Sequence, residues 1–139
     1  MRQAGMDIDA LAPVQALEDR VGEGVLAVIS NVEGPSYRPV GATMAKLSAG
    51  ELRGSLSSGC IEADIALHAE KALDTGAIDV LRYGQGSPFR DIELPCGGGL
   101  EIVLLPRPDL GVLRRLVSRG ERRLTSTLQI DLGTGALGL

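Results

Sequence analysis

The chain has 139 residues, of which 44% are hydrophobic and 23% are charged, and its formal net charge of −4 accompanies a composition typical of a single globular domain. The negative charge, the lack of any Lys/Arg run longer than two residues and the presence of only two Tyr and one Phe argue against nucleic-acid binding. No apolar stretch reaches about 18 residues and the first residues lack a signal-peptide core, which predicts no membrane span and a cytoplasmic location.

The first third of the chain predicts a loose arm, a helix and a buried strand. Residues 1–8 show no periodic pattern and are expected to form the arm. Asp9 is suited to cap a helix near 10–21, whose apolar residues recur every three or four positions. A continuous apolar run in the strand near 25–32 predicts burial on both faces, and the Pro- and Gly-containing segment 34–41 then forms a loop.

A β-hairpin and the longest helix follow. The strands near 42–47 and 51–56 flank a Ser-Ala-Gly turn, which predicts that they pair antiparallel. The helix near 60–74 carries its apolar residues on one arc. Because Glu62 falls within that arc, we expect its carboxylate to be buried with a partner and not freely solvated.

The last part of the chain predicts two more strands around a long loop, then a helix and a final strand. A strand near 78–83 leads into the loop over 84–95, and a second buried strand lies near 100–105. A helix near 109–118 begins with an Asp cap, and residues near 124–132 alternate as the last strand. Together these elements predict an α/β fold, in which a single domain contains a mixed β-sheet with flanking helices.

Two glycine-flanked cysteines are the most informative local feature. Cys60 and Cys96 are the only cysteines of the chain. Gly59 precedes Cys60 at the start of a predicted helix, and glycines 97–99 follow Cys96 before an apolar strand. Glycines let a ligand approach the main chain, and free N–H groups at a helix start can hold an anion or lower a thiol pKa. The pair therefore predicts a ligand site, with two ordinary turns as the alternative.

The residues near the two cysteines suit some kinds of ligand site better than others. One His and two Cys without ligand spacing give little support to zinc, and His68 is expected to be a packing residue. His68 also lies about 12 Å along the helix from Cys60, too far to act as its base, although helix amides alone can stabilise a thiolate. The segment 54–59 lacks the lysine of a P-loop, but its serines and amides can bind a phosphate or pterin edge. Arg38 is either an anion clamp or a solvated loop arginine.

Three motifs in order resemble the N-terminal domain of the XdhC/CoxI family. They are Gly34–Met44, Gly54–Asp64 and Pro95–Ile102, and the similarity covers roughly residues 12–107. A weaker similarity continues through the helix–strand extension at 108–139. The resemblance identifies the whole chain, 1–139, as a domain of this kind.

The resemblance implies a maturation factor for molybdenum hydroxylases such as xanthine or carbon monoxide dehydrogenase. Such a factor binds the molybdenum cofactor (molybdopterin) transiently, guards it during sulfuration by a cysteine desulfurase and hands it to the apo-enzyme. Self-association is left open. The motif positions imply the following cofactor-binding residues, with roles unassigned: Arg38, Ser55, Ser57, Ser58, Gly59, Cys60, Glu62, Cys96, Gly97 and Gly98.

Two departures from the family limit what is carried over. Ser58 stands where the family is expected to have glycine, which adds a side chain inside the proposed cradle. Many members continue into a Rossmann-type domain, and this chain ends before such a segment, as a short member or a fragment, so no NAD binding is predicted. A Cys60-dependent thiol transferase or hydrolase and a non-binding scaffold are the competing functions, although turnover of a metabolite is not expected.

Overall fold

A five-stranded sheet lies at the centre of the structure, a computed structural model that describes residues 3–57, 59, 61–84 and 98–139. In chain order the described elements are β1 (Gln3–Asp7), α1 (Ala12–Asp19), β2 (Gly24–Glu33), β3 (Thr43–Leu47), β4 (Leu52–Gly54), α2 (Glu62–Thr75), β5 (Asp79–Gly84), β6 (Gly99–Pro106), α3 (Leu110–Glu121), β7 (Thr127–Asp131) and β8 (Leu137–Gly138). The central sheet has the order β4-β3-β2-β6-β5, and a smaller sheet has the order β1-β7-β8.

The paired strands β2 and β6 form the buried middle of the central sheet, as their continuous apolar runs predict. Alternate residues point to opposite faces, so one pair of strands supplies two hydrophobic clusters. Ile29 and Ile102 face the cluster that includes α2, whereas Val28 and Val103 face the cluster that includes α1, α3 and the smaller sheet. Both faces of the central sheet are therefore covered.

The α/β class with flanking helices is confirmed, but the strands differ in direction from the predicted mixed sheet. They divide into two sheets, and every pair among the described strands is antiparallel. A continuous apolar run records that both faces of a strand are covered, and it carries no information on strand direction. Here a helix on one face and helices with a second sheet on the other provide the cover without parallel crossovers.

The N-terminal arm predicted for residues 1–8 is wrong, because Gln3–Asp7 forms β1 and pairs with β7. Only Met6 in this strand is buried, so the sequence shows no alternation strong enough to predict it. Its partner strand lies near the other end of the chain. The last predicted strand, near 124–132, is shorter than expected and spans Thr127–Asp131, and β8 pairs with it beyond a turn.

The two predicted Asp caps have different outcomes. Asp109 caps α3, since its Oδ1 accepts a hydrogen bond of 2.9 Å from the Val112 amide. The expected Asp9 cap is wrong: α1 begins later, at Ala12, and among the described residues its N-cap Leu11 has no side-chain cap. Asp9 instead pairs with Arg38, so a stronger charged partner replaces the helix amides.

The other predicted strands and helices are found with shifted ends, and the loop predicted over 84–95 lies outside the described residues beyond Gly84. The hairpin of β3 and β4 is confirmed, although β4 ends at Gly54 because the chain then turns towards α2. Helix α2 ends at a left-handed Gly76, as the sequence indicates. None of the described helices is long and apolar enough to cross a membrane.

A β-bulge in β2 lets the centre of the sheet hold a charged side chain. The register shifts between Ile29 and Asn31, which leaves Ser30 as the extra residue. The Ser30 hydroxyl donates a hydrogen bond of 2.9 Å to Glu101, which is only 7% exposed. Arg82, the cross-strand neighbour of Glu101, pairs with the same carboxylate at 3.0 Å. The buried charge is thus compensated on both sides.

Gly41 and Gly50 allow a test of how tightly β1 packs against the loop that precedes β3. Both have positive φ, at +94° and +105°, but a Cβ at position 41 would lie 1.7 Å from the Asp7 carbonyl oxygen, whereas nothing lies within 4 Å at position 50. We expect Gly41→Ala to lower the free energy of unfolding by roughly 3 kcal/mol or more, and the matched control Gly50→Ala by about 1–2 kcal/mol from backbone strain alone. Urea denaturation followed by circular dichroism measures both. Equal losses would contradict the close contact.

Candidate functional site

The segment that joins β4 to α2 is built around the carboxylate of Glu62. We call residues Ser55, Leu56 and Ser57 the serine turn. Within the described residues, Glu62 Oε2 accepts hydrogen bonds from the Ser57 amide (2.8 Å), the Leu56 amide (3.0 Å) and the Ser55 hydroxyl (2.9 Å). Its Oε1 accepts a hydrogen bond of 2.6 Å from the Ser57 hydroxyl. Both carboxylate oxygens are therefore used in fixing the turn.

Burial and hydrogen bonding act on the Glu62 carboxylate in opposite directions. Burial alone would raise the pKa of Glu62, but the hydroxyl and amide of Ser57, the Ser55 hydroxyl and the Leu56 amide outweigh it and hold the pKa below its ordinary value. The carboxylate is therefore ionised at neutral pH. The predicted partners of Glu62 are present, but the burial prediction is wrong in degree, because the residue is only half-buried.

The donors of the serine turn are occupied by a carboxylate of the protein itself. The amides and hydroxyls that the sequence offered for a phosphate or pterin edge, at Ser55, Leu56 and Ser57, bind Glu62 in this structure. The fully buried Leu56 side chain also anchors the turn in the core. The serine turn and the Glu62 carboxylate thus form a rigid unit, which we call the frame. Moving the turn would break a charged hydrogen-bond network and expose an apolar side chain.

The Ser57 hydroxyl also links the frame to the residue that precedes α2. The Ile61 amide donates to the Ser57 hydroxyl at 3.4 Å, so the residues on either side of 58–60 are bonded to each other. Gly59 is exposed with φ +96°, and nothing lies within 4 Å of where a Cβ would be. Ser58 and Cys60 lie outside the described residues.

Arg38 connects the loop 34–41 to the serine turn. Its Nη1 donates a hydrogen bond of 2.9 Å to the Ser55 carbonyl oxygen, and its Nη2 pairs with Asp9 at 2.9 Å. The side chain is 29% exposed. Arg38 is therefore held in place by two chain segments, which differs from the solvated loop arginine that the sequence left open. These contacts use two of the five N–H donors of a guanidinium group, so others remain for an anion.

Gly98 connects the same loop to the third motif. A Cβ at position 98 would lie 1.9 Å from the Pro35 carbonyl oxygen and 2.8 Å from that of Glu33, so only glycine fits there. A Cβ at Gly84 would likewise lie 2.4 Å from the Gly98 carbonyl oxygen. Cys96 and Gly97 lie outside the described residues. The loop 34–41 thus contacts both other motifs, which are far apart in the sequence.

The XdhC and CoxI family profile matches residues 18–84. The molybdenum cofactor insertion chaperone PaoD of Escherichia coli (strain K12) is 40% identical over 110 residues, which cover 76% of this chain and 34% of that protein. The chain belongs to the XdhC and CoxI family. A solved structure described as a xanthine dehydrogenase from Bacillus halodurans superposes with a TM-score of 0.61 and 29% identity, over 79% of this chain and 34% of that one.

The chain therefore spans about one third of the length of both relatives, with 34% coverage in each case. The XdhC and CoxI family match includes the loop 34–41 and the serine turn, which the structure brings together through Arg38. The ligand site predicted from Cys60 and Cys96 stays a prediction, because both cysteines lie outside the described residues.

A polar network beside α2 was not predicted from the sequence. The Tyr83 hydroxyl donates to Asp64 at 2.5 Å, and His68 lies between Asp64 (3.6 Å) and Asp79 (3.9 Å). His68 is therefore a neighbour of two carboxylates and differs from the apolar packing residue expected. The one sequence signal was the spacing of Asp64 and His68 by one helical turn. Among the described residues, no group of His, Cys, Asp and Glu is arranged to hold a metal ion.

The frame predicts a specific loss of stability when Glu62 is neutralised. In Glu62→Gln the amide group places a donor against the donors of the serine turn, so we expect the free energy of unfolding to fall by roughly 1–3 kcal/mol at pH 7. Glu51→Gln is the matched control, because Glu51 is exposed and bonds only to exposed arginines in the described part of the chain. Urea denaturation should show a clearly smaller loss for the control.

The lowered pKa of Glu62 also predicts that the stability difference between wild type and Glu62→Gln depends on pH. Because the pKa of Glu62 is lowered on folding, its contribution to stability is fully present above the unfolded value of about 4.3 and is lost as the pH falls through the folded pKa. The stability difference between wild type and Glu62→Gln should therefore shrink below about pH 4. A difference that stays constant from pH 7 to pH 3 would show that the carboxylate charge does not hold the turn.

Proposed function

We propose that the chain binds the molybdenum cofactor and supports its insertion into a molybdenum hydroxylase. The observation that carries this proposal is the 40% identity, over 110 residues, to a protein named a molybdenum cofactor insertion chaperone. The geometry adds support, because the loop 34–41 is bonded to the serine turn and packs against Gly98. Three motifs that resemble the family thus share one neighbourhood.

The proposed cofactor-binding residues fall into two groups. Arg38, Ser55, Ser57, Glu62 and Gly98 make contacts within the protein and shape the site. Ser58, Gly59, Cys60, Cys96 and Gly97 are proposed to contact the cofactor. The donor set suits a cargo with a phosphate, a dithiolene and a molybdenum centre, since thiolates are soft ligands and exposed amides bind phosphate.

Arg38 is proposed both to shape the site and to contact the cargo. Asp9 and the Ser55 carbonyl fix its guanidinium, and its remaining N–H donors are suited to the phosphate of the cargo. Glu62 acts through the turn and does not contact the cargo, because its oxygens accept hydrogen bonds from the frame. A rigid frame lowers the cost of ordering the binding residues when the cargo arrives.

The proposed setting is the cytoplasm, where binding is transient. The partners are a cysteine desulfurase that sulfurates the bound cofactor and the apo-enzyme that receives it. Xanthine or carbon monoxide dehydrogenase is the type of target. In this proposal the chain carries the cofactor and does not itself turn over a metabolite.

The decisive experiment measures cofactor that co-purifies with the protein, read as pterin fluorescence after oxidation. We expect Cys60→Ala and Cys96→Ala to lower retention at least severalfold, because each removes a soft ligand, with no comparable loss in Tm. Ser118→Ala, an exposed change on α3, is the matched control and should retain cofactor as the wild type does.

Glu62→Gln distinguishes damage to the frame from loss of a ligand, because this variant should lower cofactor retention and Tm together. If the Cys60→Ala and Cys96→Ala variants keep full retention and full maturation of a target enzyme, the cysteine-centred site is wrong and a scaffold function becomes the better explanation. Turnover by the isolated chain, with covalent labelling of Cys60 by an electrophile, would favour a thiol transferase or hydrolase.

A further inference from the structure

A cavity lies across the central sheet from the serine turn. It has a volume of about 450 Å³ and is lined by Arg115, Arg119, Thr125, Thr127 and Leu139. Arg115 and Arg119 of the lining belong to α3, and Thr127 belongs to β7. Both elements pack in the hydrophobic cluster that contains Leu113, Leu116 and Leu128. Leu56 and Ile61 of the serine turn region lie in the other cluster. The cavity is therefore separate from the proposed cofactor site.

Arg119 is held in a fixed orientation at this cavity. Its Nε donates a hydrogen bond of 2.8 Å to the Ser126 hydroxyl, and its Nη2 donates one of 2.8 Å to the Thr125 carbonyl oxygen. Two of the five N–H donors are used in this way, which leaves three for a ligand. A guanidinium that is already oriented loses little freedom when it binds an anion.

Arg115 lies one helical turn before Arg119 and lines the same cavity. Among the described residues neither arginine forms an ion pair, whereas the adjacent Arg114 pairs with Glu18 at 3.7 Å. Like charges spaced by four residues on a helix repel each other. An anion between the two guanidinium groups would remove that repulsion.

We propose that this cavity binds the phosphate group of a small molecule. The donors are the two guanidinium groups and the Thr125 hydroxyl, because the Thr127 hydroxyl already donates to Asp7. A phosphate with nearly two negative charges and three terminal oxygens matches two positive charges and these donors better than a carboxylate does. The cavity is larger than a phosphate and includes the apolar Leu139, which suits an organic group attached to it.

The test is a titration of the amide resonances of the 139-residue chain with inorganic phosphate and with phenyl phosphate, against chloride at equal ionic strength. We expect saturable shifts at residues 115–127 and at least a tenfold weaker affinity in Arg115→Gln, since Arg115 makes no described contact that the fold needs. Arg122→Gln makes the same charge change outside the cavity and should bind phosphate as the wild type does.

The two probes distinguish the source of the phosphate. Tighter binding of phenyl phosphate supports an organic phosphate ester, and equal binding supports free phosphate. Shifts that do not saturate, or that are unchanged in Arg115→Gln, overturn the proposal.

Arg115→Glu gives a second test with an opposite sign. It puts a carboxylate one turn before Arg119, in the orientation that favours an ion pair on a helix. We expect a higher Tm than the wild type in chloride and no further increase on adding phosphate, whereas the wild-type Tm should rise with phosphate. A lower Tm combined with an unchanged phosphate response would overturn the site.

Discussion

The hydrogen bonds between the Glu62 carboxylate and the serine turn determine how the rest of the site is placed. They fix the path of the chain from β4 into α2, because the donors come from the segment before the helix and the acceptor is its first residue. They also position the Ser55 carbonyl, to which Arg38 donates. Through Arg38 the loop 34–41 becomes part of the same bonded unit.

The two faces of the central sheet pack different elements and lie next to different polar groups. One face packs α2, whose first turn carries Glu62, and beside that helix lies the network of Tyr83, Asp64 and His68. The other face packs α1, α3 and the smaller sheet, where the arginine-lined cavity lies. Because β2 and β6 supply side chains to both faces, a change of register in this pair would disturb both sites at once.

Local signals in the sequence predicted local structure well. The β3–β4 hairpin, the Asp109 cap and the presence of partners for Glu62 each depend on residues within a few positions of one another, and all are confirmed. The pairing of β1 with β7 was not predicted, because it joins residues as far apart in the sequence as Gln3 and Asp131, and periodicity carries no information on partners.

The candidate site shows the same division between near and distant contacts. Helical periodicity placed Glu62 on the apolar arc of its helix, but it could not show that the Leu56 and Ser57 amides would satisfy the carboxylate. The sequence offered those amides to a ligand, since a free and an occupied amide look alike in a sequence. Arg38 was likewise singled out as an anion clamp, although its two partners lie 29 and 17 residues away.

The absence of a side chain at Gly98 also constrains how this protein can vary. The carbonyl oxygens of Pro35 and Glu33 lie in the space that a Cβ at position 98 would fill, and a Cβ at Gly84 would in turn meet the Gly98 carbonyl oxygen. A relative with a larger residue at this position must also reroute the loop 34–41, and with it the arginine that the loop carries. A residue other than glycine at position 98 would therefore mark the relatives in which the loop 34–41 has been reshaped.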